Sequence, residues 1–210
     1  ASDVSGPSSD RHFKLKTGND LAAGDTTTNG HVKLTYKAII SLKAKAKDRY
    51  IRGIRAGAGE EVFHMFVTPQ QMANLKLDSD FLANVRNAGV RGASNSLFSG
   101  SASLMVDGVM IHEFRHVFST EGATTGTSSN AGAAGYKWGA DANVSGARAL
   151  FCGAQSLAMA DIGLPDIVED TFDYENQAGI SIGKIFGLRK PKYNSDVSGS
   201  VQDFGVICLD

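Results

Sequence analysis

Two histidines and a glutamate stand at a spacing that can bind zinc. His112, Glu113 and His116 form the pattern H-E-x-x-H inside "MIHEFRHVF", residues 110–118. On an α-helix, positions i and i+4 share one face about 6 Å apart, so both imidazoles can reach one ion while the glutamate acts as a general base. On a β-strand the same positions are roughly 13 Å apart, too far for two zinc–nitrogen bonds of about 2.0–2.1 Å. The motif therefore indicates a zinc metalloprotease only if a helix carries it.

The residues around the motif favour a strand. An Asp107-Gly108 turn signal precedes it. β-Branched and aromatic residues are frequent from 109 to 118, and no capping residue opens a helix directly before the motif. The longer metzincin pattern needs Gly and His where Ser119 and Gly122 stand. We predict that residues 109–118 form a strand that binds no metal. The apolar positions fit neither period cleanly, so a zinc metalloprotease remains the alternative function.

The composition of the whole chain is that of an ordinary globular protein. It has 210 residues, a net charge of −1, 42% hydrophobic and 20% charged residues, which suits one domain or two lobes. Its two cysteines, Cys152 and Cys208, indicate buried thiols rather than a disulfide framework. No apolar run approaches the length of about 18 residues that predicts a membrane span, and no signal peptide opens the sequence. The first residue is Ala, which indicates a processed chain or a fragment.

Charge is unevenly distributed along the sequence. From His31 to Arg55 there are eight Lys or Arg and one acid, and from Met159 to Asn176 there are six acids and no Lys or Arg. The basic segment, with Lys43, Lys45 and Lys47 at its centre, could bind nucleic acid without sequence preference. A solvated helix face is the simpler interpretation. A third is that the basic segment 33–55 and the acidic segment 159–176 oppose each other between neighbouring copies of the chain.

The first half of the chain contains clear local signals. Residues 1–30 are rich in Ser, Thr, Asp, Asn and Gly, which predicts a flexible or extended segment. A helix is predicted after Thr35, with an apolar stripe that runs to Ile54, and a buried strand over 61–67. Thr68 then begins the sequence T-P-Q-Q, which is typical of a capping box. A second short helix is predicted between a Ser79 cap and a Gly89 stop.

The second half gives weaker signals. After a Gly, Ser, Thr and Ala loop over 119–135, "VSGARALFCGAQSLAMADIGLP" predicts a helix that Ser145 caps and Gly163 ends. The C-terminal region predicts two strand-like runs around a basic turn. Because helices and strands do not alternate regularly, the predicted class is α+β, with residues 31–210 as a single domain.

The patterns that mark common enzyme sites are absent from the sequence. No phosphate-binding loop or G-x-S-x-G elbow occurs, and Cys152 has no basic neighbour to activate it. The acids of 159–176 lack EF-hand spacing. We therefore predict no enzyme, no catalytic, cofactor-binding or metal-binding residue and no cofactor. This combination favours a structural or binding role.

Several segments, in order, resemble the major capsid proteins of N-4-like tailed bacteriophages. "VFHMFVTPQQMANLKLDSDF" is similar to a strand–helix unit of that family, and "RGASNSLFSGSASLMVDGVMIHEFRHVF" to its next segment, in which a strand ends in a His/Arg cluster. "ARALFCGAQSLAMADI" resembles its Ala-rich helix. "DYENQAGISIGKIFGLRKPKYN" and "DFGVICLD" resemble its C-terminal end. The resemblance covers about residues 35–210.

The resemblance implies the HK-97-like shell fold, with an axial lobe, a peripheral lobe, an extended loop and an N-terminal arm, and implies neither enzyme activity nor a cofactor. Because the similarity begins near the N-terminus, the chain resembles the C-terminal half of such a protein, with the N-terminal arm and extended loop missing. On this basis we expect the chain, alone, to be a folded monomer or small oligomer that does not close shells.

The resemblance also implies the partners and the location. The expected partners are other copies of the chain, in the hexamers and pentamers of an icosahedral virion shell. Portal or decoration proteins are further expected partners, and packaged DNA is expected to be bound only non-specifically. No membrane association is expected. Assembly is expected in the cytoplasm of the host bacterium.

Overall fold

The computed structural model describes residues 6–30, 32–88, 103–195 and 199–210. Strands dominate and helices are few, so the predicted α+β class is confirmed. The helices are α1 (Tyr36–Asp48), α2 (Pro69–Lys76) and α3 (Ser79–Ala88). The strands are β1 (His12–Leu15), β2 (Leu21–Ala23), β3 (Ile54–Ala56), β4 (Glu60–Val67), β5 (Ser103–Val106), β6 (Val109–Glu113), β7 (Ala149–Cys152), β8 (Ala158–Asp161), β9 (Asp166–Phe172), β10 (Gln177–Gly183), β11 (Phe186–Arg189), β12 (Lys192–Asn194), β13 (Val201–Asp203) and β14 (Val206–Leu209). No helix among the described residues is both long and apolar enough to span a membrane.

An eight-stranded mixed sheet organises the described residues. Its order is β2-β1-β14-β7-β4-β6-β5, and β3 pairs with β4. The β1–β14 and β4–β6 pairs are parallel, and the other pairs are antiparallel. The register aligns apolar side chains in one row across five strands. That row consists of Ile207, Phe151, Met65, Ile111 and Leu104, each at most 4% exposed.

The helices complete a single hydrophobic core with this row. Helix α1 contributes Ala38, Ile39, Leu42 and Ala46, and α2 and α3 add further buried apolar side chains. The N-cap at Thr35 is confirmed, because its hydroxyl accepts a hydrogen bond from the Ala38 amide. The predicted apolar stripe is wrong beyond Asp48, where α1 ends: Tyr50 and Ile54 are exposed.

Short-range signals around β4 and β6 are also confirmed. The predicted strand 61–67 is β4, which begins one residue earlier. The Thr68 hydroxyl accepts from the Gln71 amide, and the Gln71 side chain accepts from the Thr68 amide, which completes the capping box. Asp107 and Gly108 have φ of 46° and 71°, as a tight hairpin turn between β5 and β6 requires. Helix α3 includes Ser79 rather than starting after it, and Gly89 lies outside the described residues.

The helix predicted between Ser145 and Gly163 is wrong. This segment instead forms β7, a turn and β8. Strand β7 lies between β14 and β4, with Ala149 and Phe151 buried and the intervening side chain half-buried. The helical propensity of Ala and Leu is overridden because two neighbouring strands supply hydrogen bonds and a buried face.

The loop interpretation of residues 1–30 is wrong for two stretches. Strand β1 pairs with β14 and places Phe13 and Leu15 in the core, and β2 pairs with β1. This stretch is ordered, although its neighbours in sequence are polar, because Phe13 and Leu15 point to the same side of β1 and pack into the core. The division of the chain at residue 30 stays a prediction.

Candidate functional site

The H-E-x-x-H motif is divided between a strand and a turn. His112 and Glu113 are the last residues of β6, and the chain then turns through Phe114–Val117. The predicted strand is therefore right for 109–113 and wrong for 114–118. His116 packs edge-on against the ring of Phe114, with ring centroids 5.4 Å apart. The helix on which the zinc interpretation depends is not what the motif forms, so the metalloprotease alternative is withdrawn.

His112 contacts a histidine that is distant in sequence. Its Nε2 lies 2.9 Å from Nδ1 of His64 on β4, and the two rings stack with centroids 5.2 Å apart. Phe66 stacks on His112 from the same strand. Burial and the neighbouring charge of His64 lower the pKa of His112. In the described part of the chain, no three His, Cys, Asp or Glu side chains come together as ligands for a cation.

Much of the basic segment is neutralised within the chain. Lys37 pairs with Asp80 at 2.9 Å, Lys43 with Asp107 at 2.9 Å and Lys47 with Glu61 at 3.7 Å, as three separate ion pairs. The sequence has eight Lys or Arg and one acid in this segment. The folded surface instead alternates charges of both signs, which weakens its attraction for nucleic acid.

Residues 157–190, named here the β-arm, form an exposed extension of the chain. Two ladders build it, β8 with β11 and β9 with β10. Every side chain of the β-arm is exposed except that of Lys190, which is half-buried, and none belongs to the hydrophobic core. A two-stranded ladder is marginally stable in water by itself. The two strand-like runs predicted near the C-terminus thus become several strands, most of them outside the main sheet.

One face of each β-arm ladder is rich in apolar side chains. The register places Ile167 opposite Ile182, and Met159 opposite Leu188, and residues directly opposite each other share a face. The alternation of side chains adds Ile180 to the first face and Phe186 to the second, where their cross-strand partners are the acids Glu169 and Asp161. These six side chains, Met159, Ile167, Ile180, Ile182, Phe186 and Leu188, are between 56% and 70% exposed. Exposed apolar side chains at this density mark a surface that associates with another.

Charge is separated along the β-arm. The residues from 162 to 183 contain five acids and no Lys or Arg, whereas Arg189, Lys190 and Lys192 lie at its base. Lys184 and Asp161 form an ion pair at 2.8 Å between these two regions. At the tip, Asp173, Tyr174 and Glu175 all have positive φ, which is unfavourable for residues with side chains. Tyr174 is fully exposed.

A buried ion cluster at the C-terminal end of β14 connects it to the neighbouring strands β1 and β7. The carboxylate of Asp210 accepts hydrogen bonds from Arg148 at 2.6 and 3.1 Å and contacts His12 Nε2 at 2.5 Å. Burial alone raises the pKa of Asp210, but the hydrogen bonds from His12 and Arg148 outweigh it and hold the pKa below its ordinary value. Burial also raises the pKa of the Cys208 thiol to about 11 and raises that of Cys152. Both cysteines are free thiols, as predicted, but only Cys208 is buried and Cys152 is half-buried.

The β-arm was not recognised from the sequence, although one signal for it was present. In "ISIGKIFGL" the even-numbered positions 180, 182, 186 and 188 are large and apolar, which is the period of a strand with one apolar face. An exposed extension with this many apolar side chains on a mixed sheet is typical of proteins that associate through such surfaces.

Comparison with known proteins identifies the family within this class. A family model described as "Phage capsid protein" matches residues 1–210. The major capsid protein of Pseudomonas phage KPP25 is 45% identical over 211 residues, which cover 99% of this chain and 54% of that protein. The chain therefore belongs to the phage capsid protein family. It spans about half the length of this curated relative.

Solved capsid structures share the fold. The capsid of Ralstonia phage GP4 matches with a TM-score of 0.60 at 21% identity, over 97% of this chain and 52% of that chain. The capsid asymmetric unit of cyanophage Pam1 matches with a TM-score of 0.65 at 20% identity, over 95% and 53%. The resemblance to phage capsid proteins and the fold that it implied are confirmed. The narrower assignment to N-4-like phages stays a prediction.

Proposed function

We propose that the chain is part of a structural subunit of a tailed-phage icosahedral shell and associates with copies of itself around the packaged DNA. The observation that carries this proposal is the set of apolar side chains that the β-arm exposes on a chain of the phage capsid protein family. In a monomer, an exposed apolar surface of this kind promotes aggregation. In an assembled shell it can be buried in a contact between subunits.

The proposed partners follow from that role. Other copies, in hexamers and pentamers, come first, and portal or decoration proteins could add contacts. Packaged DNA would be met only non-specifically, since the lysines of α1 largely pair within the chain. The proposed location is the virion capsid, after assembly in the host bacterial cytoplasm. We propose neither an enzymatic activity nor a cofactor.

Electron microscopy of the complete gene product tests the proposal. We expect closed particles from the natural sequence, and loss of particles when Ile180 and Ile182 are both changed to Glu, because charged side chains cannot be buried in an apolar contact. Leu77→Glu is the control: Leu77 is 77% exposed, follows the last residue of α2 and is not part of the β-arm. A folded gene product that forms no particles would contradict the proposed function. The 210-residue chain alone is expected to give monomers or small oligomers.

A further inference from the structure

Residues 6–11 near the N-terminus bind the strand pair β12–β13. The Ser8 amide donates to the Asp203 carboxylate at 3.0 Å, and the Asp203 amide donates in return to the Ser8 hydroxyl at 2.8 Å. The Asp10 amide donates to the Gln202 side chain at 3.3 Å. Asp203 and Gln202 are 0% and 1% exposed. Two segments that lie 192 to 195 residues apart in the sequence are thus joined through buried polar groups.

Arg11 extends this contact to the end of α1. Its Nη2 donates to the Tyr193 hydroxyl on β12 at 2.7 Å and to the Arg49 carbonyl, directly after α1, at 3.0 Å. The guanidinium also lies over the Tyr193 ring, 5.7 Å from its centroid. Arg11 is only 3% exposed. One buried side chain therefore connects residues 6–11 with α1 and with the β12–β13 pair.

The contact also reaches the β-arm directly. Lys190, the last residue of the β-arm, forms an ion pair with Asp203 at 2.8 Å. The same ammonium group donates to the Gly6 carbonyl at 3.0 Å. The base of the β-arm is therefore bound both to β13 and to the N-terminal segment.

The β12–β13 pair lies outside the main sheet and outside the core. It forms a two-stranded sheet of its own, and none of its described residues belongs to the core cluster. A two-stranded ladder is marginally stable by itself. The chain enters this pair from the β-arm and leaves it into β14. The pair is thus the connection between the exposed β-arm and the packed body.

The contact also contains an unfavourable element. Nε and Nη1 of Arg11 are buried without a hydrogen-bond partner in the described part of the chain. A buried donor without a partner has lost its hydration with no compensation. Opening the contact would return these donors to water. The docked state is therefore less stable than its number of hydrogen bonds suggests.

We propose that residues 6–11 act as a latch on the β12–β13 pair. Docked, the latch holds the β-arm in one orientation relative to the body. Released, it lets the pair and the β-arm move together while the core stays folded, since no residue of the latch belongs to the core cluster. The part of the latch in assembly rests on the proposed function: a β-arm of fixed orientation meets a partner without the entropic cost of being ordered.

A distance measurement tests the orientation of the β-arm. Spin labels are placed at Tyr174→Cys, at the fully exposed tip, and at Leu77→Cys, which is exposed and follows α2 in the body. Electron–electron double resonance gives the distribution of distances between them. We expect a narrow distribution while the latch is intact. Ser8→Ala combined with Tyr193→Phe removes one hydroxyl from each side of the latch and should broaden the distribution.

Hydrogen exchange tests the release itself. In the same double variant, without labels, the amides of β12 and β13 should exchange about tenfold faster, the effect of losing roughly one hydrogen bond to a charged group. The amides of β4 should keep their natural rates, because β4 lies inside the main sheet between β7 and β6. Faster exchange confined to β12 and β13 would show local release rather than unfolding of the whole chain.

Controls separate the latch from general loss of stability. Thr68→Ala removes a hydrogen bond from the body, so it should leave the distance distribution and the exchange of β12 and β13 unchanged. The natural chain gives the background labelling of Cys152 and Cys208. Tyr193→Phe alone keeps the ring and its contact with Phe204, and it gives the same comparison if the double variant does not fold.

Three results would overturn the inference. They are a broad distribution in the chain with an intact latch, an unchanged distribution and unchanged exchange in the folded latch variants, and equal effects of Thr68→Ala. Particle formation by the complete gene product is measured independently. Failure of the latch experiments would remove this inference alone, whereas a folded gene product without particles would remove the proposed function.

Discussion

At the residue scale, buried ionisable groups link the fold to pH. Asp210 is inaccessible to solvent at its carboxylate and depends on two partners that come from distant parts of the chain, His12 on β1 and Arg148 just before β7. Because the pKa of Asp210 is lowered in the folded state, the stabilisation that it gives is complete above its ordinary pKa of 3.8. That stabilisation is lost as the pH falls through the lower, folded-state pKa.

Replacing Arg148 with Met should destabilise the fold. The variant leaves the buried carboxylate of Asp210 with His12 as its remaining ionic partner, and removing one member of a buried pair costs about 3 kcal/mol or more. The free energy of unfolding, measured with urea at pH 7, checks the value. In the variant the pKa of Asp210 should rise towards or above its ordinary value, so the variant should lose less stability than the natural chain as the pH falls from 7 to 3. Equal acid sensitivity of the two proteins would contradict the ion cluster.

Acid should also weaken the His64–His112 contact. The pKa of His112 is lowered in the folded state, so the unfolded chain binds its proton first and stability falls as the pH drops below the ordinary value of 6.5. Changing His112 to Gln should reduce the difference between the urea midpoints at pH 7.5 and pH 5.5. His116→Gln is the matched control, because His116 is exposed and contacts Phe114. If His112→Gln and His116→Gln reduced the difference equally, the His64–His112 contact would not be the cause of the pH dependence.

At the element scale, local hydrogen bonds fix where some helices begin. The capping box at Thr68 satisfies amides at the start of α2 and also connects this helix to the rest of the fold, since the Gln71 side chain donates to the Ala147 carbonyl at 3.1 Å. This single turn therefore positions α2 against the segment that enters β7.

Removing the N-cap at Thr68 should lower the free energy of unfolding moderately. Thr68→Ala deletes the hydroxyl that accepts from the Gln71 amide at 3.3 Å, and losing an N-cap costs about 1 kcal/mol. Gln70→Ala, on the exposed side of the same helix, should change the free energy of unfolding far less. Urea unfolding followed by circular dichroism compares the two variants. Equal effects would show that the cap contributes nothing specific.

At the scale of the whole molecule, the chain divides into a packed body and an unpacked β-arm. The main sheet and three helices share one core, whereas the β-arm is stabilised by two ladders and has its apolar side chains exposed. Regions with few buried apolar contacts open at lower free energy than the core does. The segment that we propose to contact partners is thus also the segment that should unfold locally most easily.

Limited proteolysis should detect this division. We expect chymotrypsin to cleave first at the β-arm tip, after Phe172 or Tyr174, because a protease needs a locally opened chain. Tyr50 is 90% exposed but lies in the body, so it serves as an internal control. The two fragments should stay together on size exclusion, since β14 pairs with both β1 and β7. Early cleavage after Tyr50 would contradict the division.

The sequence by itself determined the helix caps and the turn, because the groups that interact in each lie within a few residues of one another. Thr35, the Thr68 capping box and the Asp107-Gly108 turn were predictable because donor and acceptor, or the turn and its backbone angles, belong to one short segment. The family was also recognisable, since short patterns occur along the chain in an order that resembles other capsid proteins.

Only the tertiary structure decided the features that depend on distant partners. Residues 149–152 have helical propensity but form a strand because β4 and β14 lie on either side. His12 and Asp210 meet across almost the whole chain, and His112 contacts His64 rather than His116. The apolar-rich faces of the β-arm ladders arise from the pairing of β8 with β11 and β9 with β10. Such contacts depend on how far-separated segments share hydrogen bonds and buried surface, which local propensity does not encode.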